Sequence, residues 1–203
     1  MLKTYPVDFP NLPRLAQLNS YYCGPAVLQM LCAFSGKQIT QQEIVKAAQV
    51  ENKIKSHGMM IEELSLALRI LAPELRFWFK YQATLAELSQ LINFYKIPVG
   101  VEWQGIFDYP DEDKYDDEDD DPGHVSIITC LDTKNNLIKI ADPDRHYAGK
   151  DRRFTVLQFE RRWWDINQVF DPLTLKNRQQ DDYHAMFVLT PVSVSFPEQL
   201  GME

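Results

Sequence analysis

Apolar side chains in the first half of the chain follow the spacing expected of helices. Two segments, 24–34 and 60–71, repeat apolar residues every three or four positions. Two others, 40–49 and 84–95, open with Thr-x-x-Glu, the sequence of a capping box. The pattern therefore predicts four helices, with one strand at 75–81 before the last of them.

Strand-like segments dominate the second half of the chain. The predicted strands are 98–103, 124–131, 137–141 and 183–189. Residues 132–136, Asp-Thr-Lys-Asn-Asn, have the composition of a turn between two of these strands. One further helix is predicted at 156–164. Because the helices come first and the strands follow, the chain is predicted to form an α+β domain.

The length and composition favour one domain. With 203 residues, 45% of them hydrophobic, the chain can bury one core, so we predict a single domain over residues 1–203. Residues 1–16 contain three prolines and are expected to form an extended arm. Residues 191–203, after the last predicted strand, are expected to form a loose tail.

The composition argues against several kinds of protein. No stretch approaches 18 apolar residues, so neither a membrane span nor a membrane partner is predicted. The first residues lack the apolar core of a signal peptide, which predicts a cytoplasmic protein. No basic patch with interleaved aromatic residues indicates nucleic-acid binding. The three cysteines lack C-x-x-C spacing, which argues against a disulfide framework and a zinc site, and no metal or cofactor is predicted.

One cysteine lies where a helix is predicted to begin. Pro25 suits a first helical turn, so Cys23 falls at or just before the helix N-terminus. The free amide groups and the helix dipole there favour a nucleophilic thiolate. Gln17, six residues upstream, has a side-chain amide that can donate toward an oxyanion formed at the cysteine. Cys32 and Cys130 lie in apolar segments and are expected to be core residues.

A histidine and an aspartate come together if the two strands form a hairpin. A turn centred near residues 133–134 places His124 opposite residues 142–144. Asp142 then lies beside His124, where it can orient the imidazole and stabilise the imidazolium, leaving the other ring nitrogen for a thiol. A small change of register would give this role to Asp144 instead.

These residues carry a family resemblance. Gln17, Tyr22-Cys23-Gly24-Pro25-Ala26, Gly123-His124 and Asp142-Pro143 stand in the same order as in the bacteriocin-processing, double-glycine leader peptidases, which the chain resembles. Those enzymes are a branch of the papain-like cysteine peptidases. The resemblance implies a papain-like fold, in which an N-terminal helical part with the cysteine packs on a C-terminal antiparallel sheet that carries the histidine and aspartate.

The resemblance also implies an activity. The chain is expected to be a thiol-dependent hydrolase that cleaves peptide or amide bonds through a Cys23–His124–Asp142 triad and an acyl-enzyme, with Gln17 in the oxyanion hole. An amidase or acyl transferase that uses the same triad stays open. So does a non-catalytic module on the same fold that binds a peptide or a partner protein.

The net charge of −8 comes from one segment. Residues 108–121 carry ten acidic side chains and one basic one, and the charges elsewhere nearly balance. This acidic loop, an insertion over residues 108–122, ends before Gly123-His124. Three roles stay open: a solvated loop, a loop that overhangs the cleft and favours basic substrates, or a site for a divalent cation without EF-hand spacing.

Overall fold

A computed structural model describes residues 8–107, 123–171 and 176–203. The helices are α1 Cys23–Phe34, α2 Gln41–Ala47, α3 Ile54–His57, α4 Ile61–Leu71, α5 Leu85–Ser89, α6 Val156–Arg162 and α7 Phe196–Gln199. A turn of π-helix, Gln90–Phe94, continues α5. The strands are β1 Leu75–Lys80, β2 Val99–Trp103, β3 His124–Asp132, β4 Leu137–Ala141, β5 Asp151–Phe154, β6 Trp164–Asp171, β7 Lys176–Tyr183 and β8 Met186–Pro191.

Both predicted capping boxes are present. Thr40 accepts a hydrogen bond from the backbone of Glu43, and the Glu43 carboxylate accepts one from the Thr40 backbone at 2.8 Å. Thr84 and Glu87 make the same pair of bonds at the start of α5. Each box satisfies amide groups that a helix N-terminus leaves free, which fixes where these helices begin.

The strands form two antiparallel sheets. Six of them pair in the order β1-β8-β2-β3-β4-β5, and β6 and β7 form a separate hairpin. The helices α1 and α4 contact this six-stranded sheet through β3 and β1. Mixed helices with an antiparallel sheet confirm the α+β prediction.

The β3–β4 hairpin has the register that the sequence predicts near its open end. Ile127 pairs with Ala141, and Ile128 pairs with Ile140. The register shifts between Ile128 and Cys130, closer to the turn. β4 ends at Ala141, and the side chain of the next residue, Asp142, reaches His124 at the start of β3.

One hydrophobic core joins the helices to the sheet. Its members come from α1, α2, α4 and α6 as well as from β2, β3, β4 and β8. Cys32 and Cys130 are fully buried, as expected for core cysteines. No helix in the described ranges is both long enough and apolar enough to cross a bilayer.

The end of the chain is not a loose tail. Residues 196–199 form α7, and Leu200 and Met202 pack into the core. Glu203 and Phe79 exchange backbone hydrogen bonds of 2.9 and 3.0 Å, so the terminus adds to the edge of β1. The prediction was wrong because these few apolar residues gave no periodic signal.

Two further predicted segments differ in detail from the structure, and a third lies outside the described residues. Residues 8–16 of the predicted arm form neither helix nor strand, and Phe9 and Leu12 there are buried in the core. The helix predicted at 156–164 ends at Arg162, because Trp164 already belongs to β6. The acidic loop 108–122 lies outside the described residues.

Candidate active site

Cys23 is the first residue of α1. Its side chain is largely buried, at 8% exposure, where α1 meets β3. The loop before the helix is tied by a hydrogen bond from the Ala26 amide to the Tyr22 carbonyl. The thiol therefore lies at the positive end of a helix of twelve residues, as the sequence predicts.

His124 and Asp142 meet at the open end of the β3–β4 hairpin. The His124 Nε2 and Asp142 Oδ1 atoms are 2.8 Å apart, and both side chains are buried. The edge of the Phe107 ring packs on the imidazole at a centroid distance of 5.1 Å. Because Nε2 is occupied by Asp142, Nδ1 is the ring nitrogen left for a second partner.

Cys23 is the second ionisable group that acts on His124, and it favours the charged form of the imidazole. Burial alone would lower the pKa of His124, but the Asp142 carboxylate and the Cys23 sulfur outweigh it and raise this pKa to about 10. The surroundings thus favour the imidazolium form, which is the form that stabilises a neighbouring thiolate.

Asp142 is held by two further donors. Arg152 donates to Asp142 Oδ2 at 2.7 Å, and the Asp144 amide donates to Oδ1 at 3.0 Å. Burial opposes ionisation of the Asp142 carboxyl. The charge and hydrogen bond of His124, with these two donors, nevertheless lower its pKa to about 2. Asp142 is therefore a carboxylate at neutral pH.

Arg152, the cationic partner of Asp142, was not predicted from the sequence. Its guanidinium stacks 3.6 Å from the centroid of the Tyr147 ring and also donates to the Ile106 carbonyl. Arg152 pairs with Ile140 in the β4–β5 register, two residues before Asp142. The only signal was the short polar strand β5, which is too brief to show a period.

Asp144, the alternative to Asp142, has another partner. Its Oδ1 accepts hydrogen bonds from the His146 backbone amide at 2.8 Å and pairs with His146 Nδ1 at 3.0 Å. The structure therefore brings Asp142, and not Asp144, to His124.

Gln17 is buried on the loop before α1. Its backbone amide donates to the Pro143 carbonyl at 2.7 Å, which ties this loop to the residue after Asp142. The side-chain Nε2 donates to the Asn19 carbonyl at 2.9 Å, and Oε1 has no hydrogen-bond partner among the described atoms. Since a primary amide has two N–H groups, one remains for another acceptor.

Gln41 fixes the position of this loop, and sequence reasoning did not single it out. Its side-chain oxygen accepts from the Leu18 amide at 2.9 Å, and its Nε2 donates to the Ala16 carbonyl at 3.0 Å. Gln41 is the first residue of α2 and is buried, so its side-chain amide bonds to the backbone of the residues on both sides of Gln17.

Within the described ranges, no group of three or more histidine, cysteine, aspartate or glutamate residues is arranged to bind a metal ion.

Comparison with known protein families decides the class of this site. The model described as "Peptidase_C39 like family" matches residues 9–171, which is most of the chain. The chain belongs to the Peptidase_C39-like family. This membership makes it a cysteine peptidase-like hydrolase and confirms the resemblance to the bacteriocin-processing branch. No match was found among curated proteins.

Solved structures of this family share the fold. The peptidase domain of Streptococcus ComA, a bifunctional ABC transporter of a quorum-sensing pathway, is 15% identical with a TM-score of 0.55; the alignment covers 87% of this chain and 96% of that one. A double-glycine-motif protease from an AMS/PCAT transporter, solved with its leader peptide, is 15% identical with a TM-score of 0.57, covering 92% and 98%. A C39-like peptidase from Bacillus anthracis is 13% identical with a TM-score of 0.60, covering 90% and 96%.

Proposed function

We propose that this C39-like protein is a cysteine peptidase in which Cys23, His124 and Asp142 form the catalytic triad and Gln17 contributes to the oxyanion hole. The observation that carries the proposal is the buried His124–Asp142 pair, 2.8 Å apart, together with the Cys23 thiol at the start of α1, which acts on the pKa of His124. A histidine oriented by a carboxylate is the arrangement that activates a nucleophile in hydrolases of this kind.

The mechanism begins with proton transfer from the Cys23 sulfur to His124, which gives a thiolate–imidazolium pair. The thiolate attacks the carbonyl carbon of the scissile bond, and the carbonyl oxygen becomes an oxyanion. The free N–H of the Gln17 amide and a backbone amide near Cys23 stabilise that oxyanion. His124 then protonates the leaving amine as the C–N bond breaks, which leaves a thioester on Cys23.

Deacylation completes the cycle. A water molecule loses a proton to His124 and attacks the thioester, and the acid product leaves as the cysteine sulfur recovers the proton. Asp142 stays ionised throughout and stabilises the imidazolium, in keeping with its low pKa. An amine in place of water would make the same site an acyl transferase.

A peptide is the substrate class that the comparisons favour. The double-glycine-motif protease with the same fold was solved with its leader peptide bound. Because that protease is only 15% identical to this chain, we do not transfer its cleavage specificity. We propose only that the substrate is a peptide with an accessible amide bond.

The test is cleavage of a peptide library followed by mass spectrometry of the products and of the intact protein. We expect defined products, a thioester mass increment on Cys23 in rapidly quenched samples, and loss of both in Cys23→Ala. Cys32→Ala is the matched control, because Cys32 lies on the same helix but is fully buried in the core. Cleavage that persists in Cys23→Ala would overturn the proposal.

A further inference from the structure

The segment that carries the candidate oxyanion donor has little packing of its own. Residues 16–18 belong to neither helix nor strand. Ala16 and Leu18 are exposed, whereas Gln17 between them is 7% exposed. A segment with few buried apolar contacts and no regular backbone bonding moves easily unless other bonds hold it. The place of the Gln17 side chain therefore depends on the hydrogen bonds made to this segment.

Gln41 supplies such bonds on both sides of Gln17. The Gln41 Oε1 atom accepts from the Leu18 backbone amide at 2.9 Å, and Nε2 donates to the Ala16 carbonyl at 3.0 Å. Gln41 is only 4% exposed, so water competes little for these bonds. One buried side chain thus anchors the backbone immediately before and immediately after Gln17.

The same side chain also bonds to the helix that carries Cys23. Gln41 Nε2 donates to Gln29 Oε1 at 3.1 Å, and Gln29 is a residue of α1. A primary amide has two N–H groups and one carbonyl oxygen, so the three bonds use both donors and the acceptor of Gln41. Gln41 therefore joins the loop of Gln17 to the helix of Cys23. The oxyanion forms on a carbon bonded to the Cys23 sulfur, so this spacing decides whether Gln17 reaches it.

The position of Gln41 is itself fixed by the start of α2. Gln41 is the first residue of this helix, directly after the N-cap residue Thr40. The capping box of Thr40 and Glu43 sets where the helix begins, and Ile44 in the next turn is fully buried in the core. A side chain on such a start is a rigid support for the loop that it bonds.

We propose that Gln41 is a positioning residue for catalysis, which holds Gln17 where its free N–H meets the oxyanion formed at Cys23. The inference rests on the proposed peptidase function and extends it to a residue that does not touch the substrate. An oxyanion donor stabilises the transition state fully only when it is already in place, and a misplacement of about 1 Å can cost about 10²-fold in rate. Gln41 acts through Gln17, so its removal matters only while Gln17 is present.

The test compares peptide cleavage with alkylation in Gln41→Met. Methionine is about as long as glutamine but has no N–H donor and only a weak acceptor, so the substitution removes the three bonds and keeps the bulk. We expect kcat on a peptide that the wild type cleaves to fall by about 10–10²-fold. We expect the rate of iodoacetamide labelling of Cys23 to stay unchanged, because alkylation forms no oxyanion. General damage to the fold would lower both rates.

A double variant and a control make the result specific. In the Gln17→Ala background, Gln41→Met should lower kcat no further, because residues that act through one another are not additive. Gln42→Met is the matched control, since Gln42 is the next residue of α2 but is exposed. It should keep the wild-type kcat. Thermal unfolding shows whether each variant is folded.

Gln29→Met replaces Gln41→Met if the latter does not fold. It breaks the bond to α1 from the other side, at a half-buried position, and leaves the two bonds between Gln41 and the loop. We expect a smaller fall in kcat, again with unchanged labelling of Cys23.

The outcomes separate this inference from the proposed function. With an active wild type, a folded variant that keeps the wild-type kcat overturns the positioning role alone. So do equal falls in kcat and labelling, or an effect of Gln41→Met that is just as large without Gln17. A wild type that cleaves no peptide overturns the proposed function, and the positioning role with it.

Discussion

Asp142 Oδ1 lies 2.8 Å from His124 Nε2, and the Asp142 side chain is fully enclosed. The two residues are 18 positions apart and meet because the β3–β4 hairpin pairs the segments that carry them. The pair therefore depends on the pairing of β3 with β4, and it leaves the second imidazole nitrogen for another partner.

Asp142→Asn should slow alkylation of Cys23 at about pH 6 by ~10²-fold, because loss of the carboxylate removes the orientation and charge that favour the imidazolium. The pKa of His124, which stands at about 10, should fall in this variant, and NMR titration of the imidazole would measure the fall. Asp144→Asn is the control, since Asp144 bonds to His146. Equal loss of reactivity in both variants would contradict the assignment of Asp142.

Arg152→Met should lower the free energy of unfolding at pH 7 by about 3 kcal/mol, because it leaves Asp142 Oδ2 buried without its cationic partner. Folding lowers the pKa of Asp142 to about 2. The ionised carboxylate therefore adds to the free energy of unfolding above the ordinary carboxyl pKa, and this stabilisation is lost as the pH falls through about 2. The difference between variant and wild type, measured by urea unfolding, should shrink on acidification.

Arg153→Met provides the comparison for this measurement. Arg153 is the next residue of β5 and is exposed, so its removal should change the unfolding free energy by less than about 0.5 kcal/mol. Arg152→Lys keeps the positive charge but lacks the planar guanidinium group. It should therefore recover only part of the unfolding free energy that Arg152→Met loses. An Arg152→Met protein as stable as wild type would show that the Asp142–Arg152 bond does not matter to the fold.

Gln17→Ala should lower kcat on a cleaved peptide by about 10²–10³-fold and leave iodoacetamide labelling of Cys23 unchanged. The two results differ because alkylation passes through no oxyanion, while peptide cleavage does. Gln38→Ala, an exposed glutamine on the loop before α2, should leave both rates as they are. A parallel fall in kcat and labelling would indicate that Gln17 only holds the loop in place.

Glu102→Gln should stabilise the protein at pH 8 by about 1–3 kcal/mol, because the wild type buries a carboxyl with an unbonded oxygen. The pKa of Glu102 is raised in the folded state, so the folded protein holds that proton more tightly and the penalty grows as the pH rises above the unfolded pKa. Urea unfolding at pH 4 and pH 8 should show a gain only at pH 8. A gain of equal size at both would contradict a titrating Glu102.

Local signals made much of the fold predictable. Two helix starts were predicted from capping boxes, Thr-Gln-Gln-Glu at 40–43 and Thr-Leu-Ala-Glu at 84–87. The hydrogen bonds of each box form within four residues, so the prediction needs no distant contact. The β3–β4 register followed from the turn composition, since two short strands around one turn have few ways to pair. The place of Cys23 at a helix start and the meeting of His124 with Asp142 were likewise predictable from local sequence, from Pro25 and from the hairpin.

Long-range contacts account for what the sequence did not predict. Arg152 reaches Asp142 through β5, a strand of four largely polar residues that has no apolar alternation. Glu102 lies within the strand predicted at 98–103, and its electrostatic interaction with Asp165 of β6 depends on residues more than 60 positions away. The terminal contact of Glu203 with Phe79 likewise depends on two segments far apart in the chain.

The most direct test of the triad is the rate of iodoacetamide labelling of Cys23 between pH 4 and pH 9. The proposal predicts fast labelling at about pH 5–6, since a histidine-paired thiolate persists well below the titration of free cysteine. It also predicts that Cys23→Ala and His124→Ala abolish this labelling, while the exposed-histidine variant His146→Ala retains it. Labelling that rises only above about pH 8, or that His124→Ala leaves unchanged, would contradict the assembled Cys23–His124–Asp142 triad.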